Sequence, residues 1–206
     1  MVLKEIDSSK LNWKKMNGII PAIIQHSISG QILMLGYMDQ DALEQTQKKK
    51  LVFFYSRTKK RLWKKGEKSG NYLQVINITV DCDCDTVLIL VVPIGNTCHL
   101  NRDSCFESNI QPEYSFLYIL EKYLQSRIMS SKEHTSYTVD LFNSGTKRIA
   151  QKVAEEGVET ALAAVVDDIS ELIDESSDLV FHLLVLLQNK SLNFHTVIRN
   201  LRKRNT

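Results

Sequence analysis

"FESNIQPEY", residues 106–114, is where the sequence changes its period. On its N-terminal side, from Ile19 to about Val92, short apolar runs are bounded by turn residues: "IIPAIIQHSISGQILMLGYM" (19–38), "LVFFYSR" (51–57), "YLQVINITVDC" (72–82) and "VLILVVP" (87–93). Several runs are β-branched or aromatic, and Gly30 marks a hairpin turn, so this half reads as strands. One helix interrupts it, "DQDALEQTQKKK" (39–50), with Asp39 as N-cap and lysines at the C-terminal end. On the C-terminal side the apolar positions recur every three to four residues. "FLYILEKYLQSRI" (116–128), "TVDLFNSGTKRIAQKVAEEGVETALAAVV" (138–166), "DISELIDESSDLVFHLLVLLQNK" (168–190) and "NFHTVIRNLRKR" (193–204) read as four amphipathic helices of a bundle. Pro112 and its polar neighbours form the linker. The expected class is α+β, with a strand-rich domain over residues 1–110 and an all-α helical bundle over 111–206.

The bulk numbers exclude several classes. Apolar content of 43% and charged content of 24% are ordinary for globular chains. The net charge of +2 divides as +4 over residues 1–110 (15 Lys/Arg, 11 Asp/Glu) and −2 over 111–206 (11 and 13), too little to imply nucleic-acid binding. "MVLKEIDSSK" contains no apolar signal-peptide core, and "VLILVVPI" and "LLVLL" are too short to span a bilayer, so a cytoplasmic protein is expected. All four cysteines lie between residues 82 and 105, a cluster that in a reducing compartment indicates metal or catalytic chemistry.

"DCDCD" (81–85) alternates hard carboxylates with soft thiols. Read as a strand end, it puts Asp81, Asp83 and Asp85 on one face and Cys82 and Cys84 on the other. Like charges at alternate positions repel unless a cation sits among them, although solvated strand ends would look the same. Cys98 follows Cys82 by 16 residues and Cys105 follows Cys98 by 7. Three thiolates from such spacing can share one Zn²⁺ and leave its fourth position open to water, as catalytic zinc requires. Buried structural cysteines or a closed zinc knot are the alternatives. Cys84, about 7 Å from Cys82 along a strand, is left as a spectator.

"MLGYM", "FYSRTKKRLWKKGEKSGN", "VDCDCDT" and "TCHLNRDSCF" together resemble the phosphoribosyl-AMP cyclohydrolases of histidine biosynthesis, over nearly all of residues 12–106. The resemblance implies Zn²⁺ on Cys82, Cys98 and Cys105, Mg²⁺ on Asp81, Asp83 and Asp85, and an obligate homodimer whose zinc is shared between two subunits. It also implies hydrolytic opening of an adenine ring between N1 and C6, with zinc making water nucleophilic near neutral pH. His99, beside a zinc thiolate, is then a candidate proton shuttle. Arg57, Trp63, Glu67, Ser69 and Asn71, in and after a run of six basic residues, become candidates for holding ribose and phosphate; Glu67 alone could equally pair with a neighbouring lysine. Asn101 stands where the family usually has glycine, and asparagine tolerates the left-handed conformation such a turn needs.

The helical half carries Glu156 and Glu159 at i, i+3 and Glu175 and Asp178 at the same spacing. Each pair shares a helix face, so facing helices would gather four carboxylates beside Ala161, Leu162, Leu172, Leu179 and Val180, an arrangement that is costly without Mg²⁺. Glutamates on helices are more often plain solvated charge. The combined pattern, with "SYTVDLFNSGTKRIAQKVAEEGVETALAA", "SSDLVFHLLVLL" and "VIRNLRKR", resembles phosphoribosyl-ATP pyrophosphohydrolase over roughly residues 115–204. It implies Mg²⁺ on Glu156, Glu159, Glu175 and Asp178, Glu155 orienting ligands or water, and Lys147, Arg148 and Lys152 neutralising a triphosphate. The product of that reaction is the substrate of the first, so the two resemblances agree on a bifunctional hydrolase. A zinc-stabilised nucleotide-binding regulator, or a house-cleaning pyrophosphohydrolase using only the C-terminal acids, are the other readings.

Overall fold

The computed structural model describes residues 6–106, 112–129 and 136–205. The expected linker therefore lies mostly outside the described residues. These fall into two compact units, divided between Ser115 and Phe116.

The first unit is built on the period-two runs. Strand β1 (Ile20–His26) buries every second residue, and β2 (Ile32–Met38) returns antiparallel to it, pairing Met38 with Ile20. Gly30 in the connection has φ +72°, a left-handed value that only a residue without Cβ adopts freely. Helix α1 (Gln40–Lys49) follows, capped by the Asp39 side chain, which accepts from the Ala42 N–H at 2.8 Å. Strands β5 (Leu73–Val80) and β6 (Val87–Pro93) complete a four-stranded sheet of order β2-β1-β6-β5, β6 running parallel to β1 and antiparallel to β5. Ile20, Ile24, Leu73 and Ile89 are at most 1% exposed, each contributing roughly 2 kcal/mol of burial. Phe54, from the hairpin β3 (Phe53–Ser56) and β4 (Arg61–Lys64), packs over Gly36, where any Cβ would collide with its ring. Strand β4 lies inside the basic run, whose charged residues mask its alternation.

"DCDCD" is a turn and not a strand end. Strand β5 stops at Val80, the Asp81 side chain accepts from the N–H groups of Asp85 and Thr86 at 3.0 Å each, and Cys84 has φ +61°. Asp81 thus bonds its own downstream backbone, which is how aspartate makes turns. The strand-face argument that separated Cys84 from Cys82 does not hold here.

The second unit is helical: α2 (Ser115–Met129), α3 (Tyr137–Asn143), α4 (Thr146–Val165), α5 (Ile169–Asn189) and α6 (Phe194–Asn205). Among the described residues five helices replace the four expected, because "NSGT" breaks 138–166 at Gly145, whose φ is +84°. Leu124, Leu141, Ile149, Leu184 and Val185 form the core. No helix among the described residues is long and apolar enough to cross a membrane.

Candidate active sites

In the first unit a cleft of about 550 Å³, a volume suited to a small ligand, is lined by Cys98, His99 and Cys105 on one side. Trp63, Glu67, Ser69 and Asn71 line it as well. Trp63 is fixed by its ring contact with Phe54, 5.3 Å between centroids. Asn71 is admitted by two glycines that the sequence reading passed over: a Cβ on Gly66 would meet its backbone and one on Gly95 its side-chain amide. Glu67 pairs with Arg61 at 2.5 Å, and that guanidinium holds its carboxyl below the usual range. Arg57 does not line the cleft and stacks on the Tyr37 ring, 3.8 Å from its centroid. The hydroxyl of Thr97, 2% exposed, has no hydrogen-bond partner among the described residues, an unusual state for a buried polar atom beside an open cleft.

The thiols divide. Cys98 and Cys105 interact directly, and burial and the neighbouring Cys98 push the Cys105 thiol up. The His99 Nδ1 lies 3.9 Å from the Cys98 sulfur, in a turn closed by Asn101 at φ +58°. Lys65, the last residue of the basic run, stands close enough for its charge to act on both thiols, and burial lowers its own pKa. Cys82 is exposed on the β5–β6 turn, and the three thiols do not gather within one chain: Cys82 does not line the cleft. Asp81, Asp83 and Asp85 do gather, with carboxylate oxygens within 4.8 Å of one another. Lys15 bridges Asp83, at 2.5 Å, and Asp85, so a cation already sits at this cluster, and its partners drive the ammonium pKa upward.

In the second unit Glu156, Glu175 and Asp178 bring carboxylate oxygens within 4.8 Å of one another across α4 and α5. The four acids do not all point inward, as the sequence reading expected. Glu156 is 4% exposed and Glu175 partly buried, whereas Glu159 and Asp178 are exposed, as are Ala161 and Leu162. Three residues of helix turn through about 300°, leaving Glu159 some 60° round from Glu156, and it is exposed where Glu156 is buried. It remains close enough to repel Glu175. Desolvation, a hydrogen bond to Glu156 and repulsion from Glu159, Glu156 and Asp178 all raise the Glu175 pKa. Lys152, 2.6 Å from Glu156, chiefly accounts for the lowered pKa of that carboxyl. The Lys152 ammonium also reaches Glu155 at 3.1 Å, where Arg148 approaches to 3.6 Å; Lys147 is exposed. Glu155 lies outside the three-carboxylate group.

Comparison with known proteins gives two family matches. Residues 34–107 match the model for phosphoribosyl-AMP cyclohydrolase, and residues 117–205 match that for phosphoribosyl-ATP pyrophosphohydrolase. The chain is 57% identical over 203 residues to the histidine biosynthesis bifunctional protein HisIE of Yersinia pestis, covering 98% of each. It is 55% identical over 203 residues to the protein of the same name from Escherichia coli K12, covering 98% of this chain and 99% of that one. The Buchnera aphidicola protein of that name is 55% identical over 206 residues, 100% of this chain and 99% of the other.

Proposed function

The chain belongs to the family of bifunctional histidine-biosynthesis proteins and is a two-step hydrolase; on that premise we propose how its residues divide the work. Residues 111–206 hydrolyse phosphoribosyl-ATP to phosphoribosyl-AMP and pyrophosphate, and residues 1–110 then add water across N1–C6 of the adenine ring. The observation that carries this reading is that each matched segment contains its own gathering of metal-type donors. One has the Cys98–Cys105 pair in the cleft, and the other has the Glu156–Glu175–Asp178 group.

The donor sets fit the ions. Two interacting thiols lining one cleft suit Zn²⁺, and carboxylate groups that each already hold a lysine ammonium suit Mg²⁺. Cys98 and Cys105 of one copy, with Cys82 of a second, would hold the zinc, since Cys82 of the same chain does not join them. Mg²⁺ would lie on Asp81, Asp83 and Asp85, and separately on Glu156, Glu175 and Asp178, with Glu159 at the edge. When bound, zinc makes water nucleophilic near neutral pH, and magnesium neutralises anhydride oxygens. His99 moves the proton during ring opening. Trp63, Ser69 and Asn71 hold the nucleotide in the cleft, whose wall the Arg61–Glu67 pair shares; Arg57, stacked on Tyr37 outside that lining, is left to the phosphate as the resemblance implies. Lys147, Arg148 and Lys152 draw in the polyphosphate, and Glu155 orients Lys152 and Arg148. A homodimer is supported by the exposed apolar residues Val158, Leu162, Val165, Ile169 and Ile173 on α4 and α5, 58–79% accessible. The clustering of all four cysteines between residues 82 and 105 as candidate metal donors fits a reducing, cytoplasmic setting.

Incubation with phosphoribosyl-ATP, following pyrophosphate and ring-opened product together, tests the whole reading. Both products are expected in succession. Pyrophosphate alone would favour the house-cleaning alternative, and neither product from zinc-loaded protein the regulator.

Replacing His99 with Ala is expected to slow ring opening by about 10²–10⁴-fold, the usual worth of a positioned proton-transfer group, with zinc content unchanged. Wild-type turnover by the zinc-loaded variant would remove His99 from the chemistry. At the carboxylate group, Glu175 ligates in its ionised form, and its desolvation and acidic neighbours raise its pKa above the usual carboxylate value. Affinity for Mg²⁺ at this site therefore weakens as pH falls through the raised pKa of Glu175. The same shift makes its contribution to cation-free stability fall as pH rises from the ordinary carboxylate range through that raised value. Calorimetry in buffers of different ionisation enthalpy should detect proton release on binding in that window; binding without release contradicts it.

A further inference from the structure

His182 on α5 is 4% exposed, has no part in the functional scheme above, and lies directly behind the helical carboxylate group. Its Nδ1 is 2.8 Å from the carbonyl oxygen of Asp178, one turn earlier on the same helix. A carbonyl only accepts, so Nδ1 carries the hydrogen, and Nε2 of the neutral ring is left as an acceptor. The Tyr137 hydroxyl of α3 meets that Nε2 at 2.9 Å and donates to it. The side chain is thus fixed from both ends, and its ring is packed edge-on against Phe181, 5.4 Å between centroids. The Glu156 Oε1 of α4 lies 3.6 Å from the same Nδ1. One imidazole therefore bonds the backbone of one candidate ligand and faces the carboxylate of another, on two different helices.

We infer that the Tyr137–His182 pair is a positioning element for the carboxylate group, setting the Nδ1–H tautomer and holding Glu156 and Asp178 at ligating separation. Buried Glu156 has Lys152 in front of it and His182 behind. Without the ring, the space behind the carboxylate would let its χ angles relax away from Glu175 and Asp178. Tyr137 acts one step further out, since losing its hydroxyl leaves Nε2 without its donor and the ring held by hydrogen bonding only at Nδ1. Outer groups of this kind commonly contribute about 10–100-fold to metal affinity.

The inference rests on the carboxylate group being a divalent-cation site, and its test separates the two. Mn²⁺ binding to the full chain, followed by electron paramagnetic resonance, is compared between wild type and Glu156→Gln to isolate the component belonging to this site. His182→Leu is expected to weaken that component by about tenfold or more. His182→Asn, whose amide can donate near the Nδ1 position, should recover most of the loss, and Tyr137→Phe should give an intermediate one. A packing role alone would not be rescued by the small polar Asn in place of Leu. Unchanged Mn²⁺ affinity in His182→Leu and Tyr137→Phe, with Glu156→Gln still defective, overturns the positioning role only. Should His182→Leu fail to fold, unchanged binding in Tyr137→Phe overturns it alone. An unchanged isotherm in Glu156→Gln overturns the cation site and the inference with it.

Discussion

A Cys98→Ser protein releases pyrophosphate from phosphoribosyl-ATP at the wild-type rate and accumulates phosphoribosyl-AMP. Cys98 is buried against the cleft at 7% exposure, in contact with Cys105 and beside His99. Serine keeps the shape but replaces a soft, readily ionised donor with a hydroxyl that Zn²⁺ scarcely holds at neutral pH. Ring opening is expected to fall by more than about 100-fold, the upper figure for losing a merely supporting group at a metal site. Bound zinc should fall in parallel. Mixing the variant with a Cys82→Ser protein tests the sharing of thiols between copies. A heterodimer pairs an intact Cys82 from one chain with an intact Cys98 and Cys105 from the other, so part of the activity should return. No recovery after demonstrated subunit exchange would place all three thiols on one chain's own zinc.

What the sequence disclosed was mostly local chemistry. Asp39 as a cap and Asn101 in a left-handed turn were readable because each acts on backbone within three residues of itself. The two periods set the strand-rich part apart from the helical part because amphipathic faces must be buried on the side that repeats. Contacts across long separations had no such signature. Lys15 reaches Asp83 over 68 positions, and Tyr137 reaches His182 over 45, and no pattern of residue types announces either pair. The "DCDCD" segment was legible as a carboxylate cluster but for the wrong reason. Its acids converge because Asp81 folds the chain back through backbone hydrogen bonds, not because a strand presents them on one face. Helical spacing likewise grouped Glu156 with Glu159, while the packing of α4 on α5 decided that only Glu156 is buried.

The complementary result is expected from Glu156→Gln: pyrophosphate release drops by more than about 100-fold while added phosphoribosyl-AMP is still opened at the wild-type rate. Glu156 is the buried member of the group, and Lys152 keeps it ionised, which makes it the firmest anionic donor there. The amide fills the same volume and can still hydrogen-bond Glu175, and Lys152 retains Glu155 at 3.1 Å, so the fold should persist. What is lost is one negative charge and one good oxygen donor for a hard cation, and an anhydride approaching Lys152 would meet a weaker counter-charge behind it. Raising the Mg²⁺ concentration should restore part of the rate if the defect is one of affinity. A fall in both activities with the fold intact, in this variant or in Cys98→Ser, would mean that the two reactions share residues and that the carboxylate and thiol sites are not independent.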